Sequence, residues 1–149
     1  MFFRGCIHRT LDTKGRLMLP VEFRDVLGAL APDGRCMLTT MDDCLVAMPW
    51  PEWEAFEASF ESLASPKRKV RDFRRVVLGG AELLELDSQN RARLSRAHMA
   101  YAGLEREVVL VGQLKRFEIW DVTRYRMLQE QNFDDVAEIF AEHGIDIAF

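Results

Sequence analysis

The sequence contains one long internal repeat, and this repeat limits the fold more than any other feature. When the chain is shifted by 75 residues against itself, identical residues coincide at positions that favour turns and helix ends. A period of this length is too long for a solenoid unit and fits two tandem modules. We therefore predict modules at residues 1–76 and 77–149. The identical pairs are Gly5 and Gly80, Leu11 and Leu86, Asp12 and Asp87, Arg16 and Arg91, Leu19 and Leu94, and Gly28 and Gly103.

Each module contains an Asp-x-x-x-Arg segment that predicts a tight turn between two strands. Asp12 and Asp87 begin these segments. An aspartate carboxylate accepts hydrogen bonds from backbone N–H groups two residues on, which closes an Asx-turn. Gly15 and Asn90 occupy equivalent positions, and these are the residue types that best tolerate a positive φ. The repeat therefore predicts two copies of one rigid turn.

The residues around the turns predict an α+β fold class. In the first module, Pro20 suits the first position of a short helix and Gly28 suits the residue after its end. In the second module, Ser95 suits the N-cap and Gly103 the end. Short apolar runs predict strands at residues 7–11, 17–19, 36–40, 44–48, 82–86, 92–94, 108–111 and 117–120.

Further helices are predicted after the last strand of each module. The first has an apolar stripe formed by Trp53, Phe56, Phe60 and Leu63. The dipeptide at 65–66 ends it, and the basic run that follows predicts a second helix. The inward face of that second helix is predicted to comprise Val70, Phe73, Val76 and Val77. The second module ends similarly, with helices from about Thr123 and about Asp134.

Charge is distributed unevenly along the chain. The net charge is −4, but residues 129–149 hold six acidic residues and no lysine or arginine. Residues 67–75 contain six basic residues and one acid. Because local charge rather than net charge governs contact with phosphates, the negative net charge does not exclude a nucleic-acid partner. The alternative is that the basic run is the solvated face of an amphipathic helix and that the acidic tail is a solvated face too.

Several classes of protein are excluded by missing signals. Three widely spaced cysteines, Cys6, Cys36 and Cys44, fit no disulfide framework or zinc motif, and we expect them to be small buried residues in a reducing cytosol. No catalytic motif or phosphate-binding loop occurs, so we expect no enzyme, no metal and no cofactor. The sequence has no signal peptide and no apolar run long enough for a membrane span. We therefore expect a cytoplasmic protein.

The turn is well suited to presenting an arginine. Arg16 and Arg91 follow the two turns, and a guanidinium group reads guanine edges or clamps phosphate. The preceding aspartate can fix its direction. The alternative is that each Asp–Arg pair is only an internal ion pair. The basic residues expected to add phosphate contacts are Lys14, Arg4 and Arg9 in the first module, with Arg93 and Arg96 in the second.

Several segments together resemble the MraZ transcriptional regulators of bacteria. The resemblance runs from the N-terminus to about residue 128. The Asp-x-x-x-Arg module also looks like the swapped-hairpin DNA-binding domains of the AbrB/SpoVT type. The segments that carry the resemblance are Phe3-Arg4-Gly5, residues 11–17, Leu19-Pro20, Phe23-Arg24, Phe73-Arg74-Arg75 and residues 78–82.

This resemblance implies a fold of tandem duplicated swapped-hairpin β-barrel modules with flanking helices. It implies a ring-shaped homo-oligomer, commonly of eight or twelve subunits, that binds short repeated promoter sites on double-stranded DNA. The function implied is repression of the chain's own division and cell-wall gene cluster, with a nucleoid-associated location. Arg16 and Arg91 are the residues that the resemblance ties to DNA contact.

The second module departs from the family pattern. Asn90 stands where glycine is typical, Ala92 where a larger apolar residue is typical, and Ser95 where proline is typical. Asn90 still tolerates a positive φ, so the turn is expected to form. An antitoxin-like protein-interaction module is the alternative function for a chain of this fold.

Overall fold

The structure is a computed structural model that describes residues 1–64 and 67–147. The first copy of the repeat forms β1 (Cys6–Thr10), β2 (Arg16–Met18), α1 (Val21–Leu30), β3 (Cys36–Met41), β4 (Cys44–Pro49), α2 (Trp50–Glu61) and most of α3 (Arg68–Gly79), a helix that continues past residue 76. The second forms β5 (Glu82–Leu83), β6 (Arg91–Arg93), α4 (Arg96–Ala102), β7 (Glu107–Gln113), β8 (Arg116–Asp121), α5 (Val122–Gln129) and α6 (Val136–Glu142). The predicted α+β class is confirmed.

Strands of both copies are interleaved within one antiparallel sheet. Its six strands lie in the order β1-β7-β8-β4-β3-β5. β1 of the first copy pairs with β7 of the second, and β5 of the second pairs with β3 of the first. β2 and β6 form a separate antiparallel pair, which we call the ribbon. Each copy therefore completes the strand pairing of the other.

The core on one face of the sheet is built from both copies. Phe3 and Phe23 of the first copy meet Phe117 of the second, with ring centroids 5.0–5.3 Å apart. Leu17 and Ala92 bring the ribbon into the same core. Because this aromatic cluster joins the copies, neither copy buries its apolar residues alone.

A second core lies on the opposite face of the sheet. Leu45 and Ala47 of β4 enter the first core, while Val46 and Met48 enter the second. This alternation follows from the two-residue period of a strand. Helices α2, α3 and α5 cover the second core, which includes Trp53, Phe60, Val77 and Trp120, with Tyr125 and Leu128 packed against it.

The prediction that α1 stops at Gly28 is wrong. The helix continues to Leu30, and the N–H of Ala31 donates to the carbonyl of Leu27. The buried side chains of Val26 and Leu27 anchor the second half of the helix. In the second copy the predicted ends of α4 are confirmed, because Ser95 accepts a hydrogen bond as the N-cap and Gly103 ends the helix at φ +63°.

The predicted inward face of α3 is also wrong. Only Val77 is buried, whereas Phe73 and Val76 are each 44% exposed. The helix is attached mainly near its C-terminal end, where the hydroxyls of Thr39 and Thr40 donate to backbone carbonyls of α3. The middle of the helix rests on α2 instead, where the ring centre of Phe73 lies 6.0 Å from that of Phe60 and Arg74 donates to the Phe60 carbonyl. The break predicted at residues 65–66 lies outside the described residues.

The cysteines divide into two kinds. Cys36 and Cys44 are buried, as expected, and burial raises the pKa of the Cys36 thiol to about 12. Cys6 is exposed, which corrects the expectation that all three are buried. Cys6 lies on the exposed face of β1, together with His8 and Thr10, because side chains alternate between the two faces of a strand.

Across residues 1–64 and 67–147, no helix is both long enough and apolar enough to cross a membrane.

Candidate nucleic-acid interface

The first turn is closed by the carboxylate of Asp12. Its Oδ1 accepts hydrogen bonds from the backbone N–H groups of Lys14 and Arg16, both at 2.9 Å. Its Oδ2 accepts a hydrogen bond from Nε of Arg16 at 2.5 Å. These bonds, the backbone bond from Arg16 foremost, lower the pKa of Asp12 to about 2. The carboxylate is therefore ionised at neutral pH and holds the Nε end of the Arg16 guanidinium group in place.

The second turn repeats this geometry. Asp87 Oδ1 accepts from the backbone N–H of Gln89 at 2.8 Å and from that of Arg91 at 3.0 Å, and Oδ2 accepts from Nε of Arg91 at 3.0 Å. The backbone bond from Arg91 is the main cause of a lowered pKa for Asp87. Asn90 has φ +61°, against +73° for Gly15. The altered second turn therefore keeps the same backbone.

The ribbon places the two turns side by side. Leu94 donates from its backbone N–H to the carbonyl of Gly15 at 3.0 Å, and Leu19 donates to that of Asn90 at 3.1 Å. These two bonds are equivalent under the repeat. Nη1 of Arg91 lies 4.0 Å from Oδ2 of Asp12, so the two Asp–Arg pairs meet.

Three arginines share the outer face of the ribbon. Arg16 pairs with Arg93, and Met18 pairs with Arg91. Partners across a strand pair point to the same face, as do residues two apart on one strand. The intervening residues, Leu17 and Ala92, are buried on the inner face. The fold thus brings Arg16, Arg91 and Arg93 together on one rigid surface, and we call this surface the arginine face.

A cleft of about 980 Å³ lies beside the first turn. Lys14 and Arg93 line it, together with Arg96 and Arg106. Arg106 gives no signal of this position in the sequence, because it lies far from the turn in the chain. The carbonyl of Arg106 accepts a hydrogen bond from the N–H of Leu11 at 2.8 Å, which brings it there. The cleft is mixed in charge, since Asp12 and Glu105 also line it.

The remaining predicted basic residues lie apart from the arginine face. Arg9 is near the turn-proximal end of β1, and its Nη1 donates to the carbonyl of His8. Arg4 precedes the other end of β1, with its guanidinium 5.5 Å from the ring centre of Phe2. Because a five-residue strand spans about 16 Å, Arg4 is not part of the cluster formed by the two turns.

Backbone conformation at the turns gives a stability prediction. Gly15→Ala is expected to cost about 1–2 kcal/mol, because a Cβ is strained at φ +73° and would lie 3.2 Å from the Met99 sulfur. The matched control is Asn90→Gly, which places glycine at the equivalent position and should change stability by less than about 1 kcal/mol. Urea unfolding followed by circular dichroism measures both. Equal losses for the two variants would contradict the equivalence of the turns.

The fold and the arginine face define a class of protein, namely small α+β proteins built from a duplicated strand–turn–strand module. Comparison with known proteins narrows this class. The family described as "MraZ protein, putative antitoxin-like" matches residues 2–76 and again residues 77–143. The chain therefore belongs to the MraZ family, which confirms the resemblance drawn from the sequence.

Curated relatives match along almost the whole chain. A protein of Nitratidesulfovibrio vulgaris (strain DSM 19637 / Miyazaki F) is 55% identical over 148 residues, covering 99% of both chains. One of Oleidesulfovibrio alaskensis is 53% identical over 146 residues, covering 98% of both. One of Acidithiobacillus ferrooxidans (strain ATCC 53993 / BNL-5-31) is 42% identical over 134 residues, covering 86% of this chain and 88% of the relative. Each is named "Transcriptional regulator MraZ". These names confirm the expectation that the chain is not an enzyme.

Proposed function

We propose that this chain is a DNA-binding transcription regulator and that the arginine face contacts duplex DNA. One observation carries the proposal: two sequence-distant turns place Arg16, Arg91 and Arg93 on one face of the ribbon, above buried Leu17 and Ala92. A surface that only needed internal ion pairs would not require both turns to meet. The names of the relatives support a role in transcription.

The Asp–Arg pairs prepare the arginines for contact. Asp12 and Asp87 engage the Nε atoms of Arg16 and Arg91. Within the described residues, no hydrogen bond engages the two Nη atoms of Arg16, which is about 30% exposed. A guanidinium group held at Nε can still offer its Nη atoms to guanine O6 and N7 or to a phosphate. Lys14, Arg9 and Arg4 are proposed to add phosphate contacts.

The finer architecture forms part of the proposal. The exchange of β1 and β5 between the two copies supports swapped-hairpin barrels as the fold of the modules at 1–76 and 77–149. We propose that several chains form a ring, of eight or twelve subunits, that engages several repeated promoter sites. Multivalent contact raises affinity without new contacts for each chain. Repression of the chain's own gene cluster, and a cytoplasmic, nucleoid-associated location, follow from the family resemblance.

The second candidate function is an antitoxin-like interaction module. The words "putative antitoxin-like" in the description of the matching family favour this second function. Such a module would use the same ribbon against a protein partner, and its affinity for DNA would be weak and independent of sequence. The two functions therefore differ in how they respond to DNA sequence and to salt.

Salt dependence of binding to a duplex with short direct repeats tests the proposal. Four phosphate contacts by each bound chain would give a slope of about −3.6 in log affinity against log salt. Affinity per chain should then fall about a hundredfold between 50 and 200 mM salt, as measured by fluorescence anisotropy. A scrambled duplex of equal length is the control. Absent binding, or equal affinity for both duplexes, would favour the interaction module.

A further inference from the structure

The C-terminal helix α6 presents an apolar face that its own chain covers only in part. No side chain of this helix is buried, and Ile139 is 47% exposed. Val136, Ile139 and Phe140 follow the spacing of one helix face. Phe133 and Ile145, just outside the helix, are 51% and 47% exposed. An apolar stripe of this kind is typical of a contact with another element.

The same segment is strongly acidic. Residues 130–147 contain six acidic residues and no lysine or arginine. The connection to α5 is shaped by local hydrogen bonds. Asn132 Oδ1 accepts from the N–H of Asp134 at 2.7 Å, and Phe133 O accepts from the N–H of Val136 at 3.1 Å. No side chain of α6 is buried, so the acidic groups of this segment lie on the surface. The acids are Glu130, Asp134, Asp135, Glu138, Glu142 and Asp146.

The exposed face of α3 complements α6 in apolar surface and in charge. Phe73 and Val76 are one turn apart and each 44% exposed. Lys69 lies one turn before Phe73 on the same face. Within the helix, Asp72 is bonded to Arg68 at 3.3 Å and to Arg75 at 2.9 Å, which leaves α3 with an excess of positive charge. A basic helix with an exposed apolar pair is the surface that an acidic, apolar helix would bind.

We propose that α6 of one chain docks on α3 of a second copy of this chain. Opposite charges align the two helices, and burial of Ile139 against Phe73 and Val76 holds them. The contact is assigned to a second copy because Phe73, Val76 and Ile139 all stay exposed within one chain. A contact between two different surfaces of identical chains extends into a ring or a filament. The inference therefore deepens the proposed self-association and rests on it.

Photo-crosslinking of the full chain tests this contact. Benzoylphenylalanine is incorporated at position 139, and unlabelled and heavy-nitrogen-labelled chains are mixed before irradiation. Mass spectrometry then identifies the crosslinked peptides. We expect crosslinks to residues 68–79 that join one unlabelled and one labelled chain. Crosslinks confined to single chains, or directed to other parts of the surface, would overturn the proposal.

Charge reversal makes the test specific. Lys69→Glu with Arg75→Glu should lower the crosslink yield about fivefold, since exposed ion pairs each contribute up to about 0.5–1 kcal/mol. Adding Glu138→Lys and Glu142→Lys should restore the yield to within about twofold of the original. The control, Arg35→Glu with Lys115→Glu, changes net charge equally and lies off α3. No loss on reversal, or no recovery on the second reversal, would overturn the contact.

Sedimentation of the same samples separates this proposal from the ring itself. If chains still assemble but position 139 does not crosslink to α3, the ring stands and the α6 contact is wrong. If all chains sediment as monomers at micromolar concentration and no crosslinks between chains form, both are wrong. Loss of assembly on the first reversal and its return on the second would support both.

Discussion

Replacing both Arg16 and Arg91 by alanine is expected to abolish specific binding to DNA at protein concentrations that saturate the unchanged chain. Each well-placed arginine contact to a base contributes about 1–3 kcal/mol, so the double variant should lose about 30-fold to more than a thousandfold in affinity. The fold should persist, because both side chains are partly exposed and Asp12 and Asp87 keep their backbone hydrogen bonds. Fluorescence anisotropy with a repeat-containing duplex measures the loss.

Arg35, which follows α1 in the chain, provides a matched control. Arg35 donates from Nε to Oδ2 of Asp33 at 2.9 Å and from its backbone N–H to Oδ1 of the same residue. This pair copies the local chemistry of the turns but lies outside the ribbon. Arg35→Ala should therefore leave DNA affinity within about twofold, a change of under about 0.4 kcal/mol. Unchanged affinity in a folded Arg16→Ala, Arg91→Ala double variant would refute the role of the turns.

Phe117→Ala should strongly lower the free energy of unfolding of this chain. The side chain is fully buried between Phe3 and Phe23 of the other copy. Removal of a buried phenylalanine ring costs about 3–5 kcal/mol, which is a large part of the stability of a small protein. Because this cluster joins both copies, urea unfolding should remain one transition that moves to lower denaturant as a whole.

The matched control is the same substitution on a half-exposed residue. Phe2→Ala removes a ring that is 39% exposed and should cost less than about 1.5 kcal/mol. The comparison is made at concentrations where the chain has one state of assembly. Equal losses at both positions would contradict the shared core. Two separate transitions for Phe117→Ala, with one unchanged, would show that the copies fold independently.

Local chemistry explains why the turns could be predicted from the sequence. Asp12 and Asp87 bond within their own five residues, and the positive φ at Gly15 and Asn90 depends on residue type. These features need no knowledge of the rest of the fold. The same is true of most strands, whose apolar runs are short and clearly bounded.

Long-range packing could not be predicted in the same way. The sequence does not say that β1 pairs with β7, because that pairing joins residues about a hundred positions apart. Apolar spacing placed Phe73 and Val76 in the core, but attachment of α3 through Thr39 and Thr40 leaves them exposed. Arg106 lies at the cleft because β1 pairs with β7 next to it and its carbonyl accepts a hydrogen bond from Leu11. The position of Arg93 on the arginine face likewise depends on the pairing of β2 with β6.

The most direct test of the account is a footprint of this protein on the DNA upstream of its own gene. We expect the unchanged chain to protect a set of short, regularly repeated sites, and the Arg16→Ala, Arg91→Ala variant to protect none at the same concentration. A folded, unchanged chain that protects no site in that region, or a double variant that protects the same sites equally well, would contradict the assignment of the arginine face to DNA.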